Sequence, residues 1–325
     1  MLASTRELLN TALRSGYAIG AFNVYNLEGV TAVINAAEAL HSPAILQLHP
    51  SALLYGKSPL VGLCIKAARK SLVPIAVHLD HGTSEKDIHI GLAAGIKSIM
   101  ADGSPLPYEQ NLIFSREMTK LAHANGAAVE AEIGRISGRE NGLTIDEKAA
   151  KMTDPVAAVE FIKETKVDFL AVTIGNVHGK YLSEPKLDFP RLEKIRAAVS
   201  VPLVMHGASG LPESMIHQCI EFGVSKFNVN TEVREAYMDV LKSSISEAHP
   251  DLLEIMEKAI DAMRWVISDK LQLFGSVGKA YLHHSVDTHN LTAKSTSNKQ
   301  TSRNQSNFDQ MLKPVYSEAF SLMLK

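Results

Sequence analysis

Val73-Pro74-Ile75-Ala76-Val77-His78-Leu79-Asp80-His81-Gly82 has the length and β-branched content of a buried strand, a polar end and a closing glycine. In a parallel sheet buried on both faces, the side chains at the carboxyl end of a strand reach a crevice, so Asp80 and His81 are delivered to one rim. Neighbours along a strand point to opposite sides. The strand is therefore expected to end there, with His81 already turning over the rim.

Two further histidines occupy the same kind of place. His178 lies in Ile174-Gly175-Asn176-Val177-His178-Gly179, just past the apolar run Phe169-Leu170-Ala171-Val172, and His206 ends Val201-Pro202-Leu203-Val204-Met205-His206-Gly207. Three histidines at three strand exits, each followed by glycine, suit a catalytic zinc site with an open fourth position. The plain alternative is that each is a satisfied core or rim histidine, and the repetition weakens it.

Working outward, strand-length apolar runs recur at 18–22, 44–48, 75–79, 98–100, 128–132, 169–172, 203–206 and 226–229. Helix-like stretches lie at 4–15, 27–40, 59–70, 85–94, 108–124, 155–163, 188–197, 212–221 and 232–248, opened by pairs such as Asp154-Pro155 and separated by turns carrying Gly95, Gly126 and Gly223. Strand then helix, eight times over, implies a parallel sheet, and eight is the number that closes an α/β barrel, a (β/α)8 TIM barrel, with the extra helix 251–273 outside. A doubly wound open sheet is the runner-up. The barrel is preferred because the chemistry-bearing residues come from many strand ends instead of one switch point.

Two stretches break the rhythm. Residues 133–153 form a polar connection with Gly134, Gly138 and Gly142, expected to be a lid or active-site loop, the alternative being a disordered insertion. From Tyr281 the composition changes: 15 of the 23 residues from Ser285 to Asn307 are Ser, Thr, Asn or Gln, too few apolar groups for a packed core. Residues 1–280 are expected to form the barrel domain and 281–325 a low-complexity flexible tail, with a weak helix at 308–325.

Composition narrows the function. The 325 residues are 46% hydrophobic and 21% charged with a net charge of -2, and no basic stripe supports nucleic-acid binding. No run approaches the roughly 18 apolar residues of a membrane span, and the first ten residues lack a signal-peptide core, so a cytoplasmic protein is expected. Cys64 and Cys219 are far from any CxxC spacing and read as core residues in a reducing compartment.

The strand exits also supply Asn23, Asp80, Asp102, Glu132 and Asn228. Asp80 is poorly placed to ligate the same ion as its neighbour His81 and is better cast as a proton donor and acceptor. Asp102 and Glu132 either orient the histidines, hold a second cation, or are plain hydrogen-bonded rim carboxylates. Gly207-Ala208-Ser209-Gly210 and Asn228-Val229-Asn230-Thr231 each precede a helix and suit a phosphate held by backbone N–H groups.

Taken in order, Ala21-Phe22-Asn23, His78-Leu79-Asp80-His81, Glu130-Ala131-Glu132-Ile133-Gly134, 168–179, His206 to Gly210 and Asn228 to Thr231 resemble the class II, zinc-dependent ketose-bisphosphate aldolases, in the short branch with tagatose- and fructose-bisphosphate enzymes. The resemblance spans about residues 4–280. It implies a lyase of carbohydrate metabolism such as glycolysis, reversibly cleaving a ketose 1,6-bisphosphate to dihydroxyacetone phosphate and an aldehyde. It implies that His81, His178 and His206 hold zinc, that Asp80 serves the aldehyde oxygen, and that Glu140 exchanges the proton beside the ketone. Asp102 and Glu132 match a second divalent metal site of some members. Asn23, Gly179, Gly207, Ala208, Ser209, Asn228, Val229, Asn230 and Thr231 match the substrate site, where a monovalent cation, Na+ or K+, is often found. A homodimer or homotetramer follows by the same analogy.

Departures bear on the sugar. His49 stands where relatives commonly carry Ser or Thr, either as a substrate contact or as a capped rim histidine, and 256–260 lacks the basic residue used near the far phosphate, for which Lys258 or Arg264 are substitutes. The rival functions are a non-catalytic sugar-phosphate-binding homologue and an aldolase for a non-bisphosphate sugar. A class I mechanism needs a Schiff-base lysine at a strand exit, and Lys226, at the other end of its strand, reads as support for the fold.

Overall fold

Strands covered by helices on one face and by each other's side chains on the other must be buried along their whole length, and the strands from 19 to 229 that form the main sheet are. The computed structural model describes residues 1–140, 143–145, 151–179, 181, 184–245 and 251–283. In chain order the described strands are β1 (Ile19–Asn23), β2 (Ala44–Leu48), β3 (Ile75–Gly82), β4 (Ser98–Ala101), β5 (Ala128–Ile133), β6 (Ser137–Glu140), β7 (Leu143–Ile145), β8 (Phe169–Val172), β9 (Val177–His178), β10 (Leu203–Met205) and β11 (Val224–Val229). The helices are α1 (Thr5–Ser15), α2 (Leu27–Ala39), α3 (Pro50–Lys70), α4 (Glu85–Ala93), α5 (Tyr108–Ala124), α6 (Pro155–Thr165), α7 (Phe189–Ala198), α8 (Glu213–Glu221), α9 (Thr231–Ser244) and α10 (Leu252–Leu273).

Eight parallel strands close a barrel in the order β1-β11-β10-β8-β5-β4-β3-β2, so the TIM-barrel expectation holds and the open sheet does not. Helix starts follow the capping logic. Ser4, Asn26, Ser84, Asp154, Asp188 and Asp251 each accept a first-turn amide, and Pro155 follows its cap at the first helical position.

The barrel interior is graded along its axis. At the amino-terminal end, Leu8, Leu9 and Ala12 of α1 pack against Ile19, Ala21, Ile45, Ala76, Ala128, Phe169, Ala171 and Val204, and the small alanines leave room for the plug. Two residues further along the strands the inward positions turn polar, with Gln47, His78, Glu130 and Lys226 all fully buried. The next inward layer carries Asn23, Asp80, Glu132 and Asn228.

Three expectations need correction. Helix α3 begins at Pro50, nine residues before the expected start at Pro59, because His49 caps it; Lys57 (φ 50, ψ -152) breaks it into two segments just before Pro59. Strand β3 does not end at Leu79. It carries a bulge between Leu79 and Gly82, with His81 in the left-handed region at φ 48. Strand β11 starts at Val224, so Lys226 is not a rim residue but is fully buried inside the barrel.

Part of the 133–153 connection is ordered as a hairpin: β6 pairs antiparallel with β7 and parallel with β9. The chain divides between His284 and Ser285. The low-complexity segment and the helix expected at 308–325 lie outside the described residues, while Lys279–His283 form a 3-10 turn whose His283 hydrogen-bonds Tyr17 at 2.9 Å.

Candidate active site

The bulge in β3 answers the alternation problem. With one extra residue, Asp80 keeps its inward position while His81, at positive φ, turns its ring towards the barrel mouth. Rings of His81, His178 and His206 then gather: centroids lie 4.8 Å apart for His81 and His206, 5.4 Å for His81 and His178, and 5.9 Å for His178 and His206. One nitrogen from each lies within 4.8 Å of the others, as a metal site requires.

Each ring is held from behind. His81 donates through Nδ1 to Asp102 Oδ2 at 2.7 Å, and Asp102 is anchored by the Ser104 amide at 3.0 Å. Burial alone would raise the Asp102 carboxyl, but His81 pulls it well below the usual carboxylate range. His206 donates through Nε2 to Glu130 Oε1 at 2.9 Å, leaving Nδ1 facing Glu132 Oε2 at 3.4 Å, an ion-pair distance without hydrogen-bond alignment. Against burial, which would lower it, the Glu130 and Glu132 carboxylates raise His206 to about 9.

His178 lies on β9, outside the barrel sheet. Its segment is tied to the His206 loop by two residues that sequence reading had not singled out. Asn176 donates from Nδ2 to His206 O at 3.0 Å, and Tyr181 Oη accepts from Val177 N at 3.1 Å and donates to Gly207 O at 3.0 Å. Gly207 has φ +68, and a Cβ there would sit 2.1 Å from Val177 O. Gly207→Ala is therefore expected to destabilise the protein by about 1–3 kcal/mol, read as a fall in thermal midpoint; an unchanged midpoint would contradict this packing.

Asp80 is 1% exposed and receives two amide donors, Asn23 Nδ2 at 2.8 Å on Oδ2 and Asn228 Nδ2 at 3.1 Å on Oδ1. Gln47 Nε2 in turn donates to Asn23 Oδ1 at 3.3 Å. The structure thus brings Asn23, Asp80, Asn228 and the three histidines together. Asp102 and Glu132 also cluster with His81. Glu140 ends β6, whose Gly138 pairs with His178, but its carboxylate lies outside the described residues.

The expected phosphate cradle is only partly open to side chains. Gly207 and Gly210 adopt positive φ, and Ala208 and Ser209 are buried between them. Gly179 also has positive φ, at 85°. The Gly210 amide donates to Glu232 Oε1 at 3.0 Å. Val229 is buried in the outer core, so only its backbone can serve a ligand. Asn230 accepts from Tyr25 Oη at 2.9 Å, and its side chain does not cap α9.

His49 caps α3, its Nδ1 accepting from the Ser51 amide at 3.1 Å, and its ring lies 6.3 Å from that of His81. Lys258 and Arg264 both lie on α10. They pair along α10 with Glu254 at 2.8 Å and Asp261 at 3.0 Å, all on exposed surface.

A closed (β/α)8 barrel with a histidine cluster and a buried carboxylate at the carboxyl ends of its strands defines an enzyme built on the barrel-mouth plan. The chain belongs to the class-II fructose-bisphosphate aldolase family, whose model matches residues 3–279, and is accordingly an aldolase, a carbon-carbon lyase. Among solved structures it is similar to a candidate fructose-1,6-bisphosphate aldolase from Coccidioides immitis, at 37% identity over 86% of this chain and 98% of that one, with a TM-score of 0.81. It is also similar to the YdjI aldolase from Escherichia coli K12, at 35% identity over 86% and 100%, with a TM-score of 0.76. Fructose-bisphosphate aldolase from Campylobacter jejuni, at 21% identity over 86% and 96% with a TM-score of 0.71, shares the fold.

Proposed function

We propose that the protein is a zinc-dependent aldolase that reversibly cleaves a ketose 1,6-bisphosphate, of fructose or tagatose type, to dihydroxyacetone phosphate and an aldehyde. The observation that carries the metal is the pair of buried atoms His206 Nδ1 and Glu132 Oε2, which have no hydrogen bond among the described residues and face one another beside His81 and His178. Three imidazoles suit zinc with one position open to substrate. Bound there, zinc supplies Lewis-acid stabilisation of the negative charge that develops on the ketone oxygen.

The chain's own groups do the rest. Asp80 takes the proton of the C4 hydroxyl, the C3–C4 bond breaks with its electron pair passing to the triose half, and the aldehyde leaves. Glu140 then returns a proton to C3. The donors from Asn23 and Asn228 aim the Asp80 carboxylate, so the base is oriented before substrate arrives. The amides at 207–209 and at the start of α9 hold the triose phosphate. Asp102 and Glu132 orient the histidines or hold a second cation, and a homo-oligomer in the cytoplasm accords with the family.

An assay of aldol cleavage on fructose 1,6-bisphosphate, tagatose 1,6-bisphosphate and ketose monophosphates, with and without chelator, tests the reading. Release of dihydroxyacetone phosphate that stops on chelation and returns with zinc is expected. Release indifferent to chelation overturns the metal, and no release from any substrate favours a binding homologue. One observation favours a second reading, an aldolase for a ketose without the far phosphate: Lys258 and Arg264, the substitutes for the missing basic residue, pair with Glu254 and Asp261 on their own helix. Preference for a monophosphate ketose would select it.

Binding zinc through His206 Nδ1 requires that nitrogen to be unprotonated. Because His206 is raised to about 9, zinc affinity is expected to climb with pH up to that value and then level off. Titrations across pH 6 to 10 check this, and a flat profile would remove His206 from the ligand set.

A further inference from the structure

Beneath the barrel mouth lies a charged group that the reaction does not use. Lys226 of β11 donates from Nζ to Glu130 Oε2 at 2.8 Å, and Glu130 of β5 spends its other oxygen on His206 Nε2 at 2.9 Å. All three are fully buried, and Glu130 and Lys226 stand two residues before Glu132 and Asn228 on their strands, on the same inward face. His78 stands beside them, its Nδ1 on Ser98 Oγ at 2.8 Å and its Nε2 3.7 Å from Glu130 Oε2. A buried ion pair adds little stability over apolar residues of the same size, so this one invites another role.

We propose that Glu130, held in place by Lys226, is the positioning residue of His206: it fixes the ring with Nε2 turned down into the barrel and Nδ1 turned up to the metal. A carboxylate with both oxygens engaged has one orientation, and a ring bonded to it inherits that orientation. The corresponding partner of His81 is Asp102 at the rim, bonded through the opposite nitrogen. The two rings therefore present different nitrogens to one point, His81 its Nε2 and His206 its Nδ1. The inference rests on the zinc reading above.

The test compares zinc affinity, by competition with a chromophoric chelator, in wild type, His206→Ala, the apolar pair Glu130→Leu/Lys226→Met and the neutral pair Glu130→Gln/Lys226→Met. Zinc affinity in the apolar pair is expected to fall roughly 10–100-fold, with a changed cobalt absorption spectrum. The neutral pair, whose amide oxygen still accepts from Nε2, should recover most of it. Zinc lost in His206→Ala but held by a folded apolar pair within about twofold overturns this proposal alone. Zinc held at full stoichiometry in His206→Ala overturns the metal assignment as well. Independently of any variant, wild type loaded with cadmium-113 should show metal coupling to His206 Nδ1, and coupling to Nε2 overturns the proposal.

Discussion

Asp80→Ala is expected to lower the turnover of sugar cleavage by about 10²–10⁴-fold while zinc stays bound at full stoichiometry. The size follows from position. Asp80 is almost wholly buried, oriented by Asn23 and Asn228, and its Oδ1 lies 3.9 Å from His81 Nε2, so the base sits beside the metal ligands without being one. The variant also separates two proton transfers. Exchange of the C3 hydrogen of dihydroxyacetone phosphate with solvent involves no aldehyde oxygen, so it should survive in Asp80→Ala and fail in Glu140→Ala. Measuring both rates in both variants checks the division of labour. Equal loss of both rates in Asp80→Ala would remove it as the base at C4.

Lys226→Met alone is expected to destabilise the protein by about 3–5 kcal/mol, because it leaves the Glu130 carboxylate buried without its cation. For a domain of this size that is a fall on the order of 10 °C in thermal midpoint. Adding Glu130→Leu should restore most of it, and this non-additivity is the signature of a buried pair. Its pH dependence has a definite sign. Burial alone would raise Glu130, but Lys226 and His206 pull it below the ordinary 4.5, so its contribution is complete above that pH and lost as pH falls towards the folded value. In Lys226→Met the largest of these downward pulls is lost, so Glu130 takes up its proton more readily than in wild type. The gap in thermal midpoint between wild type and variant should therefore narrow on acidification, and a constant gap would mean that Glu130 is not the group left exposed to the loss.

Periodicity made the barrel legible. The eight apolar runs coincide with β1 to β5, β8, β10 and β11 to within three residues, because buried parallel strands carry an almost continuous apolar code. Helix caps were legible for the same local reason, as at Asp154-Pro155. His49 was not, since a histidine is rarely read as a cap, and α3 was consequently expected to begin at Pro59. The barrel mouth announced itself through glycine-flanked histidines. The layer beneath did not, although a signal existed: His78 and Asp80, Glu130 and Glu132, Lys226 and Asn228 are polar at alternate positions in otherwise apolar strands, which marks an inward-facing column. Lys226 reads from sequence as a support for the fold at the start of its strand, because charge ordinarily marks a strand end; it lies two residues inside the strand and is fully buried. Asn176 and Tyr181 act through backbone carbonyls of a loop distant in sequence, and no pattern in the chain foretells such a contact.

The graded interior has a bearing on anyone wishing to transplant this chemistry. Between the apolar plug of α1 and the histidines stands a full storey of polar side chains, Gln47, His78, Glu130 and Lys226, each spliced by hydrogen bond or ion pair to the storey above or to its neighbours. A graft carrying only the mouth residues onto another barrel would set them on an aliphatic floor, with His206 and Asn23 deprived of the carboxylate and the amide that hold them. The smallest portable unit is two layers deep and drawn from all eight barrel strands or the segments that follow them.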